Sequence, residues 1–464
     1  MLLVVIGTRP EVIKTAPIIR APIIRQLRSK AFSYILVWSG QHYDYEMSRI
    51  FFEELDLPTP DVYLENVKDT PDILSKLSQI VLELKQVVRK EKPSAIYGLG
   101  DTTTTLATAI TATYEGIPFI HDEAGMRSFD LTMLEELNRV ISDRVASLHL
   151  APTKLAVLNL LSEGIRPSSI KLVGSTLVDT LLNVRESSLI VIGRNKLEKV
   201  VDLDGDEHII TLTLHRRENL TCEKLKILIK VIDNINKLKD YHIRIIFPIH
   251  PHTKKTLEEC GLYGKLCELK SVSLVRPLGY LEFMALLEKS KIVMTDSGGV
   301  QEEAFVLGKH IITLRNSTEW PETVLLNYNT LMSLKEGLEK RILEIINEKL
   351  CREMPPLRLD VSPIGDGRAA VRIAKIIERF LEEIRSGIQQ DLGGGVPYYM
   401  PLLFTPTEVT ESRELCLSVN GLPTLVAQEK AKVCIKRASV NLLDLMKHSK
   451  IQAEVDWRSV DDAL

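Results

Sequence analysis

Two acids at the ends of apolar runs are the first sign of chemistry in this chain. Asp101 closes one run in "AIYGLGDTTTT", and Glu123 closes the next in "PFIHDEAGMRS". A third acid, Glu135, follows in "MLEELNR". Adjacent parallel strands lie about 4.8 Å apart, so Asp101 and Glu123 would reach one cavity. Carboxylates crowded there repel, at least one pKa rises, and an acid then stands beside a base. A plainer use for the same acids is to cap helices starting at 102 and 128.

A second set of residues suits an anion. "LLVVIGTRPEVIK" runs from a strand into a helix with Arg9 at the junction and Lys14 one turn on, a fork and a point charge where backbone N–H groups already favour phosphate. "TDSGGVQEEA" places Ser297, Gly298 and Gly299 at another strand-to-helix junction, where the glycines admit a phosphate and Ser297 adds a hydroxyl. Glu302 and Glu303, one turn later, can accept from ribose hydroxyls. His215 with Arg216 in "TLHRREN" can meet the same diphosphate or move a proton on it. The ligand expected is a UDP-type diphosphate held between two domains. His250 and His252 have no third ligand at a recognisable spacing, so no metal is expected.

These residues need rigid elements behind them. Residues 2–6, 34–40, 95–101, 118–125 and 146–153 read as strands, and 71–90 and 102–116 as helices by their apolar spacing. A second series of strands occupies 208–215, 242–251, 272–277, 291–299 and 310–316. Alternating strands and helices imply parallel sheets covered on both faces, here two doubly wound, Rossmann-like α/β domains joined near 170–180. Ligands bind such sheets outside the carboxyl ends of strands, where every motif above lies. Two stretches break the pattern. "APIIR" is repeated at 16–20 and 21–25, read as a kink or bulge in the helix or as a longer cleft wall. The tail from 387 follows the linker-like "QQDLGGGVPYYMP" and carries no site pattern.

The whole chain sets the bounds. Its 464 residues suffice for two or three domains. A net charge of −3 gives no global field for nucleic acid or an anionic membrane, so cation clusters must be local sites. No apolar run is long enough to span a bilayer, and the N-terminal residues enter a strand without a signal-peptide pattern. The six cysteines form no C-x-x-C pair. Neither zinc nor a disulfide framework is expected, and a reducing, cytoplasmic setting is.

In order, "GTRPEVIKTAP", "SGQHYDYEM", "GDTTTTLATA", "HDEAGMRS", "LEELNRVISDRVASLHLAPT", "VGSTLVDTL", "TLHRREN", "TDSGGVQEEAFVLGK", "RNSTEWPE" and "PIGDGRAAVRI" resemble the non-hydrolysing UDP-N-acetylglucosamine 2-epimerases from residue 1 to about 385. The resemblance implies a GT-B-like fold, two doubly wound domains facing across a cleft. It implies domains at 1–173 and 174–364, a helix at 365–386 packing back on the first, and an extension of unknown role at 387–464. It implies that UDP-GlcNAc and UDP-ManNAc interconvert through 2-acetamidoglucal with no cofactor, in a homodimer. Asp101, Glu123 and Glu135 would be the proton-handling acids, and His215 the essential histidine near the diphosphate. Arg9, Lys14, Ser297, Gly298 and Glu303 match UDP contacts, Phe283 falls where an aromatic would pack by the uracil, and Arg315 matches a cleft-lining position.

The chain also departs from the family pattern. Asp122 stands where an apolar residue is usual, with no partner evident, Leu134 replaces a proline and Ser175 an asparagine. Gln41 and His42 of a second, activating UDP-GlcNAc site are present, but its Arg-Gly-Gln segment is missing from "ENVKDTPDIL". Other readings are an epimerase of a related UDP-diacetamido-uronic acid, a hydrolysing epimerase, a GT-B glycosyltransferase and a UDP-sugar binding protein.

Overall fold

The computed structural model describes residues 1–20, 33–41, 45–203, 205, 207–235, 238, 241–352, 354, 357–387, 405–409, 414–418, 432–436, 457, 460 and 461. The chain forms two compact units, Met1–Thr180 with Arg358–Leu464, and Leu181–Leu357.

The first unit is built on a parallel sheet of β1 (Leu2–Ile6), β2 (Tyr34–Trp38), β3 (Val62–Tyr63), β4 (Ala95–Leu99), β5 (Phe119–Asp122), β6 (Leu148–Ala151) and β7 (Ile170–Leu172). Their spatial order is β3-β2-β1-β4-β5-β6-β7. Strands buried on both faces need unbroken apolar runs, and all five residues of β1 are buried. The order reverses between β1 and β4, which pair from Leu2↔Ala95 to Val5↔Gly98. That reversal opens a crevice at the carboxyl end of the sheet. Helix Ile73–Glu91 covers one face through Ile80, Leu84 and Val88, which pack with Leu3, Val5, Ile96 and Phe119. The buried stripe is narrower than the periodicity predicts, because Ile73 and Leu74 at the start of the helix are exposed.

The second unit repeats the plan with β8 (His208–Thr213), β9 (Ile243–Pro248), β10 (Val272–Val275), β11 (Ile292–Thr295), β12 (His310–Thr313) and β13 (Asn329–Leu331), in the order β10-β9-β8-β11-β12-β13. The reversal lies between β8 and β11, paired from Ile210↔Ile292 to Thr213↔Thr295. Leu212, Leu228, Ile232, Phe247 and Met294 fill its core. Strands β3, β7 and β13 were not legible as strands, since two or three residues are too few to show a period.

Against the expectation of no disulfide, one is present. Cys222 and Cys260 are disulfide-bonded, with Cα atoms 5.5 Å apart. Cys222 opens helix Cys222–Ile235 and Cys260 closes helix Pro251–Glu259, and these helices pack together. Thirty-eight residues separate the two cysteines, so a search for short spacings misses the pair.

After the second unit the chain returns to the first. Helix Ala369–Arg385 buries Ile373, Ile377 and Phe380, and its first turn is capped by Asp179, which accepts the N–H groups of Ala369 (3.1 Å) and Ala370 (2.9 Å). The extension contributes an antiparallel sheet of β14 (Thr405–Val409), β15 (Glu414–Ser418) and β16 (Lys432–Lys436). Further on, the buried Trp457 donates its indole N–H to the Ser362 carbonyl (2.8 Å), and Asp461 pairs with Arg368 (2.7 Å) and Arg372 (2.5 Å). The first "APIIR" copy lies in helix Arg9–Arg20, which accommodates Pro17. The second copy and His42 fall outside the described residues. Among the described residues, no helix is long and apolar enough to cross a membrane.

Candidate active site

In the first unit, polar residues gather at the carboxyl ends of β1, β4 and β5. Gly7 ends β1 where a side chain has no room: a Cβ there would lie 1.9 Å from Ser39 Oγ. Helix Arg9–Arg20 starts two residues on, and Glu11 folds back to accept the Gly7 N–H (2.8 Å) and the Thr102 hydroxyl (2.7 Å). Burial pushes the Glu11 carboxyl up to about 7, against those hydrogen bonds, which lower it. Lys14 is buried as well, and its ammonium meets the Glu123 carboxylate. Arg9 stays partly exposed, with its guanidinium 5.6 Å from the centre of the Phe51 ring. The two cations of the junction thus have separate surroundings.

Glu123 lies just past β5 in the left-handed region, with φ of +61°. Its carboxylate lies over Gly100, where a Cβ would be 3.2 Å from Glu123 Oε2 and the backbone φ is +72°. Asp101 is the next residue, so the ends of β4 and β5 bring Glu123 and Asp101 to one locality. Asp101 does not cap the following helix. Thr102 does, accepting the Thr105 N–H, and Asp101 instead takes two bonds from Arg139, at 2.6 and 3.0 Å. The helix expected from 128 starts at Leu134.

Glu136, next to Glu135, is held by structure. It accepts the Ser128 N–H (2.8 Å), the Ser128 hydroxyl (2.9 Å), the Phe129 N–H (3.1 Å) and Arg139 Nη1 (2.6 Å). Glu135 sits half-buried in the first turn of helix Leu134–Val145. Arg139 is the residue that sequence reasoning missed, and its place one turn after the two glutamates was the available signal. Gln41 accepts from both the N–H and the hydroxyl of Thr104, each at 2.8 Å.

Beneath these acids, His121 bridges the Gly100 carbonyl (2.8 Å) and Asp143 (2.6 Å). Both partners are acceptors, so both ring nitrogens carry protons. Burial alone would lower the His121 pKa, but the charge and hydrogen bond of Asp143 outweigh it and raise it. Asp143 also accepts the Gly125 N–H (3.0 Å) and pairs with Arg127 (2.7 Å). Crowding was expected to lift a carboxyl pKa. Two raised carboxyls of this region, Glu11 and Asp122 (to about 6), owe their shifts first to desolvation, with the neighbouring charge of Glu123 a smaller cause at Asp122.

In the second unit, the ends of β8 and β11 meet at Asp296. This fully buried carboxylate accepts the N–H groups of His215 (3.2 Å) and Arg216 (3.0 Å), the Asn219 amide (3.2 Å) and His215 Nδ1 (3.0 Å). Burial would raise the Asp296 pKa, but the His215 bond and the other donors hold it below the usual carboxylate range. Ser297 caps helix Gly298–Val306 by position only, since its side chain makes no capping bond. A Cβ at Gly299 would meet nothing within 4 Å, so that backbone is openly approachable. Arg315 forms a buried two-pronged pair with Glu319, at 2.8 and 2.9 Å. Glu303 is buried, and Phe283 is half-buried on helix Tyr280–Lys289.

Two parallel-sheet α/β units, each with its polar residues at the strand ends flanking an order reversal, define a GT-B-like protein. The family model described as UDP-N-acetylglucosamine 2-epimerase matches residues 25–378. The UDP-N-acetylglucosamine 2-epimerase of Methanocaldococcus jannaschii is 41% identical over 377 residues, 81% of this chain and 98% of that protein. The UDP-2,3-diacetamido-2,3-dideoxy-D-glucuronate 2-epimerase of Pseudomonas aeruginosa is 35% identical over 380 residues, 82% of this chain and 99% of that protein. The crystal structure of the M. jannaschii UDP-GlcNAc 2-epimerase with UDP-GlcNAc and UDP superposes with a TM-score of 0.71 at 37% identity, covering 82% of this chain and 99% of that one. The chain belongs to the UDP-N-acetylglucosamine 2-epimerase family, a family of isomerases.

Proposed function

We propose that this enzyme interconverts UDP-N-acetylglucosamine and UDP-N-acetylmannosamine by eliminating UDP and adding it back. A carboxylate takes the C2 proton while the C1–O bond breaks, giving UDP and 2-acetamidoglucal. UDP then re-forms the C1–O bond as a proton reaches the other face of C2. The route needs two proton-transfer groups and a diphosphate grip, and no redox cofactor.

The observation that carries the reading is the pair of carboxylates at neighbouring strand ends, Asp101 on Arg139 and Glu123 on Lys14. A cation on each acid fixes the orientation of its carboxyl group until substrate arrives. Glu135 is the third proton-handling candidate. For the diphosphate, the suited groups are Arg9, His215, Arg216, the Ser297–Gly299 helix start and Arg315, which act on the charge that develops as UDP leaves. Glu303 and Phe283 are assigned to the nucleoside.

The test is proton NMR of the full chain with UDP-GlcNAc in D2O. Appearance of UDP-ManNAc with deuterium at C2 of both epimers is the expected result. Free UDP accumulating with ManNAc would replace this reading with a hydrolysing one. The relative acting on a diacetamido-uronate makes that UDP-sugar the second substrate to try. No change with either sugar would overturn the epimerase reading.

A further inference from the structure

Asp122 has no part in the chemistry above, yet it is a carboxylate buried one residue from Glu123. Its partners explain its presence. Tyr97 on β4 is in register with Ile120 on β5, so its side chain shares a sheet face with Asp122, two residues further on. The Tyr97 hydroxyl donates to Asp122 Oδ2 at 2.5 Å, and the other oxygen, Oδ1, accepts the Glu123 N–H at 2.8 Å. Tyr97 is buried as well. The acceptor therefore reaches the backbone of a non-glycine residue held at φ of +61°. A left-handed residue of this kind stays so only where its surroundings fix it. Here that conformation sends the Glu123 carboxylate over Gly100 and onto Lys14.

We infer that Tyr97 and Asp122 are positioning residues for Glu123: the phenol orients the Asp122 carboxylate, and the carboxylate anchors the Glu123 N–H in the left-handed turn that aims its side chain. Their importance for turnover rests on the reading of Glu123 as a proton-transfer group. A purely stabilising role predicts something different. It would lower the unfolding free energy of the variants and leave kcat of the folded enzyme unchanged.

The experiment compares wild type, Asp122→Asn, Tyr97→Phe and the double variant Tyr97→Phe/Asp122→Val in the full chain. Two readouts are taken: amide hydrogen exchange resolved to Glu123 by mass spectrometry, and kcat and KM for C2 epimerisation of UDP-GlcNAc. In the double variant the Glu123 amide, left without its acceptor, should exchange faster and kcat of the folded enzyme fall about tenfold or more, with KM within about twofold. Asp122→Asn keeps an acceptor for the Glu123 N–H, so it should hold both protection and kcat within about threefold of wild type. Tyr97→Phe should fall between the two. Unchanged Glu123 protection in the double variant overturns the inference whatever the activity. So does lost protection with unchanged kcat, or an Asp122→Asn variant as slow as the double one. A wild type without epimerase activity overturns the proposed function instead, and the amide readout still decides whether Asp122 anchors Glu123.

Discussion

The strand ends of the two units put most of their carboxylates to different uses. In the first unit Glu123 and Asp101 are candidate working groups, each steadied by a buried cation, Lys14 on Glu123 and Arg139 on Asp101. In the second unit the acids are the anchors. Asp296 gathers the backbone around His215 and Arg216, and Glu319 holds the fork of Arg315. One sheet presents oriented carboxyl groups, the other guanidinium and N–H groups. The proposed reaction calls for groups of both kinds.

The strongest way to break this comparison is Glu123→Gln. It should cut C2 exchange about a thousandfold while UDP affinity, read by calorimetry, moves little. Exchange that survives at a tenth of wild type would make the Lys14–Glu123 pair a structural one. Asp296→Ala tests the other side. It strands donors that share one buried acceptor, so urea denaturation should report a loss of about 3 kcal/mol. A loss below about 1 kcal/mol would show that the anchor is dispensable.

Glu11→Gln sharpens the picture of the first unit through pH. The folded carboxyl titrates at about 7, above its ordinary 4.5, so the folded chain holds that proton more tightly than the unfolded chain does. The resulting stabilisation is complete below about pH 4.5 and fades as pH rises through about 7. The variant lacks this loss, so its stability relative to wild type should rise by on the order of 2 kcal/mol between about pH 5 and pH 8. A pH-independent difference would mean that Glu11 is not the titrating group. The smallest effect is expected from Arg315→Lys, which keeps the charge and loses the fork to Glu319. UDP affinity should fall about tenfold, and an unchanged affinity would remove Arg315 from the diphosphate set.

Much of the plan was legible because it is written in local patterns. Apolar runs of four to six residues ending in Gly7, Asp101 or Asp296 marked strands and their carboxyl ends, and period gave the helices. What stayed hidden depends on partners distant in the chain. Asp101 and Arg139 are 38 residues apart, Lys14 and Glu123 are 109 apart, and each pair meets only when the sheet is assembled. Tyr97 and Asp122 looked like an apolar-run tyrosine and a misplaced acid until strand register put them on one face. The disulfide between Cys222 and Cys260 was hidden for the same reason.

Local sequence therefore settled most of the element types, the two parallel sheets and the residue kinds at their ends, because hydrophobic period and turn chemistry act over a few residues. The tertiary structure decided which acid meets which cation, which carboxyls are desolvated enough to hold protons near neutrality, and which acid serves as an anchor. Those outcomes depend on burial and on distances of a few ångströms between remote residues, and electrostatics at that range follows geometry rather than composition.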